Sequence, residues 1–352
     1  MVKEIPLVPL FEQFIKESFN GKRRKSNGEQ ITKQTVENYT YALKLLKAFE
    51  QYKNETVRIK INIRNNQRLL LQERTYWKNF YKEFSDFLYN KKGYFDNFVG
   101  SVFKNIKCLF RYLKNEKYLL FPHCFESFYV RKEDIRVISL LPEQFCFLIM
   151  DKAFEDGLTL SQKRFKDTFI FGCTAALRYS DLMNLCIKDV ESKCGHYFLV
   201  YSSVKTDCPV TIKLPQFAVD IFHKYAKGKD PRQKLFPRIA VVNFNKKLRK
   251  IGALAGWTEE TGKYSTRCGQ RQEIKWANSR LYRFCDQLSS HVMRKTGITM
   301  LLMLGMPEYM VRKISGHTAY SKEFFRYVNF AQSYITEEID KVHQKLLGLY
   351  KQ

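Results

Sequence analysis

Acidic residues are scarce in this chain. Its 352 residues carry 35 Asp and Glu against 61 Lys and Arg, a net charge of +26 and a pI near 9.6. An excess this large in a folded protein points to a polyanionic partner. The basic residues run along the whole length instead of forming a tail, so contact with that partner is expected from both halves. Long apolar runs are missing too. The most apolar stretch, Thr299 to Met306, falls far short of the ~20 residues a spanning helix needs, and no membrane partner is expected. The opening Met-Val-Lys-Glu-Ile-Pro lacks the apolar core of a signal peptide, so a soluble, cytoplasmic chain is expected. Cysteine pairs at metal or redox spacing are absent. The nine cysteines, at 108, 124, 146, 173, 186, 194, 208, 268 and 285, are odd in number and include no C-x-x-C, which argues against a disulfide framework or a zinc site. The six histidines (123, 196, 223, 291, 317 and 343) are scattered without carboxylate companions, so no metal or other cofactor is expected. No internal repeat or low-complexity tract is visible.

Hydrophobic residues make up 45% of the chain, enough to build real cores, and the length suggests two domains. The first, residues 1–135, reads as helical. A short helix is expected over Leu10 to Phe19, followed by a polar, basic loop from Gly21 to Gly28. Thr35 reads as the N-cap of a helix with Val36, Tyr39, Ala42, Leu46 and Phe49 on one face. Two further helices carry Tyr76, Phe80, Phe84, Phe87 and Leu88, then Val99, Val102, Ile106, Phe110 and Leu113. Lys104, Lys107, Arg111 and Lys114 lie off the apolar stripe of the last one. They are the candidate polyanion contacts of this half; a solvated helix face is the plain alternative. Val57, Ile59, Ile61 and Ile63 alternate with polar residues, the period of a half-buried strand, and a local hairpin is expected there.

Arg131 to Ile138 is a charged connector, and a second domain is expected over 140–352. Pro142 suits the first turn of its opening helix. Helices are expected near 143–154, 161–173, 217–225 and 241–255, a short turn and helix at 175–185, and strands at 197–201 and 210–214. Residues 262–283 show no clear period. Helices resume from Ser290, broken at Gly305-Met306-Pro307 and Gly316-His317.

In order along this second domain stand Arg178 in Thr174-Ala175-Ala176-Leu177-Arg178-Tyr179-Ser180-Asp181-Leu182, Lys205 between the two strands, and His291 with Arg294 as H-x-x-R. Gly316-His317 follows, with Tyr327 ten residues beyond. This order resembles the catalytic domain of the tyrosine site-specific recombinases, the phage-integrase family. That family's motifs are an Arg in a T-G-L-R-x-S-E-L-like stretch, a Lys on a β-hairpin, H-x-x-R, a G-H dipeptide and a Tyr shortly after. The resemblance covers roughly residues 140 to 335, and the helical first domain is similar to the family's core-binding domain. Ala176 stands where Gly is usual, Asp181 where Glu is, and Lys295 where a His is common; the His317-to-Tyr327 interval is one residue longer than usual.

The resemblance implies a mainly α fold with a small β-sheet. A helical SAM-like core-binding domain would precede a mixed α/β catalytic domain, with no separate arm-binding domain. It implies a recombinase or integrase of a mobile element, cutting and rejoining double-stranded DNA through a 3′-phosphotyrosine without metal or ATP. A homotetramer on DNA, accessory DNA-bending proteins and association with the nucleoid follow from the same likeness. The alternatives are DNA relaxation of the type IB topoisomerase kind and a non-catalytic DNA-binding protein.

Elementary chemistry accounts for these residue types. A five-coordinate phosphorus gathers charge on its non-bridging oxygens, and guanidinium groups present planar forks of permanent positive donors to them. Arg178 and Arg294 are the candidates. His291 and Arg294, three apart on a helix, share a face. His317, following Gly, is expected at a helix start, with a hydrogen bond to a phosphate oxygen. Tyr327 is the expected nucleophile; its phenol, with an ordinary pKa of about 10, would be helped toward phenolate by the arginines, and a histidine can take its proton. Lys205 is the candidate general acid for the leaving 5′-oxygen. Each position also has a plainer reading. Arg178 could pair with Asp181, Lys193 and Lys213 compete with Lys205, and His291 and His317 could be caps. Tyr309, Tyr320 and Tyr334 compete with Tyr327, which is favoured because the pair Phe324-Phe325 could anchor its helix. Beyond it, Ile335, Ile339, Val342, Leu346 and Leu347 form an amphipathic stretch; in this family such a tail docks on a neighbouring protomer, and packing on its own domain is the alternative.

Overall fold

The computed structural model of the chain describes residues 2–63, 66–133, 136–202 and 209–349. The chain divides into two compact units, Met1–Ile135 with Tyr264–Ile274, and Arg136–Lys263 with Lys275–Gln352.

In the first unit, β1 (Lys3–Pro6) leads into α1 (Leu7–Phe19), followed by α2 (Lys33–Lys53), β2 (Arg58–Ile61), α3 (Gln67–Asp86) and α4 (Asp96–Asn115). Thr32 caps α2, three residues before the expected Thr35. Its hydroxyl accepts the Thr35 N–H and its carbonyl takes the first i→i+4 bond from Val36, so Thr35 already lies inside the helix. The alternating segment does form a strand, but not a local hairpin. β2 pairs antiparallel with β1, Ile5 opposite Ile59, which turns Ile59 and Ile61 into the core. That core is aromatic. Phe49, Phe80, Phe84, Phe103, Phe110 and Phe128 are buried and meet mostly edge-on or tilted; Phe49 and Phe84, for example, stand 5.0 Å apart. Such contacts add to the ordinary gain from burying apolar area.

The second unit opens with α5 (Pro142–Met150), with Pro142 at its first position, and α6 (Lys152–Gly157). The single helix expected here divides at Asp151, whose carboxylate accepts the Phe154 N–H at 2.7 Å and begins the second piece. Next come α7 (Leu160–Thr174), the one-and-a-half-turn α8 (Tyr179–Asn184), the antiparallel sheet β3 (Val190–Lys193), β4 (His196–Ser202) and β5 (Pro209–Lys213), then α9 (Gln216–Ala226) and α10 (Val241–Leu254). Strand β3 has no counterpart in the sequence reading, since Val190-Glu-Ser-Lys shows no apolar alternation.

The unassigned region forms a hairpin, β6 (Tyr264–Arg267) and β7 (Gln270–Glu273), that belongs with the first unit. Its turn residues Cys268 and Gly269 donate their backbone N–H groups to the two Asp96 carboxylate oxygens at 3.0 and 2.9 Å, and Tyr89 donates its hydroxyl at 2.6 Å. Strand β7 is exposed throughout and β6 is polar after Tyr264, so neither carries a hydrophobic period. A buried carboxylate holds this hairpin, so pattern reading finds no signal.

The second unit ends with α11 (Phe284–Gln287), α12 (Ser290–Met303), α13 (Glu308–Ser315) and α14 (Lys322–Leu349). α7 lies inside the main core, buried at nearly every position from Phe165 to Cys173. A second core joins Ala176 and Ile298 to Val311 and Phe324, Val328 and Ala331 of α14. The mainly helical fold with small sheets is the one the sequence leads to. Among the described residues no helix is long and apolar enough to cross a membrane.

Candidate active site

Arg294 sits on the second turn of α12, only 8% exposed. One side of its guanidinium donates to the Ala176 carbonyl at 2.8 Å and the other to the Ser315 carbonyl. The arginine thereby joins the turn after α7 to the end of α13. The Ala176 turn is left-handed, φ +47°, a conformation that favours glycine and accounts for the glycine usual there in the resembling family. α12 itself is fixed from behind. The Thr296 hydroxyl accepts the Leu140 N–H at 3.0 Å, and Ser139 and Thr299 share a 2.6 Å hydrogen bond, all buried.

Arg178 is the N-cap residue of α8. Its guanidinium lies 3.8 Å from the buried carboxylate of Asp181, the ion pair that the plainer reading of Arg178 expects. Arg178 and Arg294 are close enough to repel. Burial first, and then Arg178, lower the Arg294 pKa to about 10. Tyr201 of β4 stands in the same field; burial and Asp181 push its phenol up to about 12.

His317 does not begin a helix. Gly316 ends α13 in the left-handed conformation, the His317 N–H returns to the Arg312 carbonyl at 3.0 Å, and α14 starts only at Lys322. The expectation of helix-start N–H groups aimed at an anion is therefore corrected: this is a C-terminal cap, where carbonyls are being satisfied. The imidazole is held by its side chain. Nδ1 lies 2.7 Å from Ser315 Oγ, and the ring packs on Phe324 and Tyr327, with centroids 5.5 and 5.9 Å away. Burial, Arg294 and Arg178 lower its pKa to about 4. Arg312 braces the segment beyond, donating to the Ala319 carbonyl and to Glu308 while stacking over Phe324.

Tyr327 lies on the second turn of α14 and is partly buried against the second core. Arg294 and Arg178 favour its phenolate, but burial outweighs them and the phenol pKa is raised. The arginines pull toward phenolate as the sequence leads one to expect, and burial is the opposing cause that only the fold reveals. The anchor of this helix is Phe324, fully buried, while Phe325 is 47% exposed. The competing tyrosines stand elsewhere: Tyr320 is 92% exposed, Tyr309 is exposed, and Tyr334 donates its hydroxyl to Glu143 at 2.7 Å.

His291 is exposed on the first turn of α12, where its burial differs sharply from that of Arg294. Lys205 lies outside the described residues. On α4, Lys104 and Arg111 are exposed, while Lys107 donates to the Glu126 and Phe128 carbonyls at 2.9 Å each and Lys114 lies 3.4 Å from His123 Nδ1. Tyr201 and Ser315 were missed by the sequence reading. Nothing in a single sequence marks one tyrosine on a short strand, or a serine just before a Gly-His pair, as neighbours of distant arginines. Among the described residues no group of three His, Cys, Asp or Glu side chains is placed to hold a metal.

No protein-family model matches the chain and no curated protein matches it by sequence. Solved structures do match in fold. XerH site-specific recombinase in a post-cleavage complex with palindromic difH substrate is 14% identical with a TM-score of 0.54, over 94% of this chain and 84% of that one. A lambda integrase dimer bound to a COC′ core site is 10% identical with a TM-score of 0.58, over 93% and 78%. A fragment of the Tn1549 transposon integrase with transposon right end DNA is 16% identical with a TM-score of 0.57, over 93% and 94%. At identities this low the likeness is one of architecture: this chain has the fold of site-specific recombinases and integrases.

Proposed function

We propose that the protein is a site-specific DNA recombinase or integrase of a mobile element, acting through a 3′-phosphotyrosine intermediate formed by Tyr327. One observation carries the reading. Arg178, Arg294, His317 and Tyr327 come from four separate segments of the second unit, and Arg294 feels the charge of Arg178 and Tyr327 while His317 packs on Tyr327. Two permanent cations beside one phenol suit in-line attack on a phosphodiester. Tyr327 gives its phenol proton to a histidine as its oxygen bonds to phosphorus, the bond to the 5′-oxygen breaks, and a lysine ammonium, Lys205 by the sequence reading, supplies a proton to the leaving oxygen. The bond energy stays in the phosphotyrosine, so rejoining needs no ATP.

The N-terminal unit is the proposed core-binding domain, with the exposed Lys104 and Arg111 as backbone contacts. Assembly as a homotetramer on DNA is supported by Ile335, Ile339 and Leu346, exposed along α14 beyond the part that packs on its own unit. Accessory DNA-bending proteins and a place on the nucleoid belong to the same proposal. Mass spectrometry of a trapped protein–DNA adduct tests it: a Tyr327 peptide is expected, and its absence in Tyr327→Phe. Efficient relaxation of plasmids by monomers would favour a topoisomerase instead, and binding without any adduct a non-catalytic protein.

A further inference from the structure

Ser315 is 1% exposed at the end of α13, and its hydroxyl has one proton and two close neighbours. The Val311 carbonyl oxygen is 2.7 Å away, and His317 Nδ1 is also 2.7 Å away. A carbonyl oxygen is an acceptor only. Two oxygens this close without a proton between them would set lone pair against lone pair, so the serine proton must lie toward Val311. The bond to His317 must then be supplied from the other side, with Nδ1–H donating and Oγ accepting. In a neutral imidazole one nitrogen donates and the other accepts, which leaves Nε2 with the lone pair.

We propose that Ser315 is a positioning residue that holds His317 in the Nδ1–H tautomer, so that His317 enters the reaction as the acceptor of the Tyr327 proton. The part concerning Tyr327 rests on the recombinase reading; the tautomer does not. The groups facing the imidazole are Arg294 from α12, Arg178 from the start of α8, Arg312 from α13, and Glu323 and Tyr327 from α14. Burial first, and then three cations against one carboxylate, keep it uncharged, and burial keeps the phenol protonated. The proton passes from Tyr327 Oη to Nε2 as the oxygen bonds to phosphorus and the 5′-oxygen leaves. The imidazolium so formed is a donor at Nε2 and can hold a phosphate oxygen. A histidine of the other tautomer would offer Nε2–H from the start and could not take the proton there. Ser315 also presents its carbonyl to Arg294, so one residue orients both the base and the arginine.

The test has two arms, both on the full chain. In the first, ¹⁵N spectra of histidine-labelled protein at pH 7, with His317 assigned by His317→Gln, are expected to show protonated Nδ1 and unprotonated Nε2. Ser315→Ala should lose that signature with its thermal transition intact, and Ser315→Thr should keep it. Protonated Nε2 in the wild type would overturn the proposal. In the second, single-turnover adduct formation is followed on a pool of nicked duplexes of randomised sequence. Loss of one such hydrogen bond predicts a rate lower by about five- to tenfold in Ser315→Ala, with recovery in Ser315→Thr. Equal rates in Ser315→Ala and wild type would overturn the role in proton transfer and leave the recombinase reading standing. No adduct from the wild type would overturn that reading and the acceptor role together, while the spectra still decide the tautomer.

Discussion

Arg294 and lysine differ in geometry more than in charge. The guanidinium spans from the Ala176 carbonyl to the Ser315 carbonyl while keeping further N–H donors for a phosphate; an ammonium has no such fork. Arg294→Lys is expected to lower adduct formation by about 100- to 1,000-fold, measured in single turnover. It should also destabilise the fold by about 1–3 kcal/mol, because two buried carbonyls lose their partner. His317 gives a second prediction. Its folded pKa, about 4, lies below the ordinary 6.5, so the unfolded chain binds more protons between these values. Stability from this group is complete above pH 6.5 and is lost as the pH falls toward 4. Urea midpoints at pH 5 and 7.5 should therefore differ more for wild type than for His317→Gln. Equal differences would sink the assignment.

The elements meet through a few close backbone approaches and tight turns. A Cβ added to Gly297 of α12 would strike the Cys173 carbonyl and come within 2.8 Å of Ala176 Cα. Neither backbone can retreat without moving the turn that Arg294 holds. Gly297→Ala should cost about 1–3 kcal/mol or more, read as a lower thermal midpoint. Two hairpins turn on the same dipeptide: Cys194-Gly195 joins β3 to β4 and Cys268-Gly269 joins β6 to β7, with both residues of each at positive φ. Such two-residue turns usually carry Asn or Asp before Gly. Cysteine removes the turn signal where the strands already lack apolar alternation, and together these leave β3 and the β6–β7 pair illegible beside the helices of strong apolar period. Asn tolerates the left-handed region well, and Cys268→Asn is expected to raise stability by about 0.5–1 kcal/mol in chemical denaturation.

At the scale of the whole molecule, charge dominates. With a net +26, binding to duplex DNA should weaken steeply with salt. Six to ten phosphate contacts would lose about 10³- to 10⁵-fold in affinity between 50 and 200 mM. Fluorescence anisotropy on a labelled duplex checks this, and a flat salt response would contradict a phosphate-backbone interface.

The sequence by itself determined the helical character of both units, their apolar stripes, the basic surface, and the order of Arg178, H-x-x-R, Gly-His and Tyr327. These are local periods and local chemistry, legible wherever burial repeats along an element. Only the tertiary structure decided that β2 pairs with residues 3–6, that His317 follows a helix end, that burial raises the Tyr327 phenol, and that the Ser315 hydroxyl lies against the imidazole. Each of these depends on which distant atoms surround a group, and desolvation and hydrogen-bond partners across a fold leave no period in the chain.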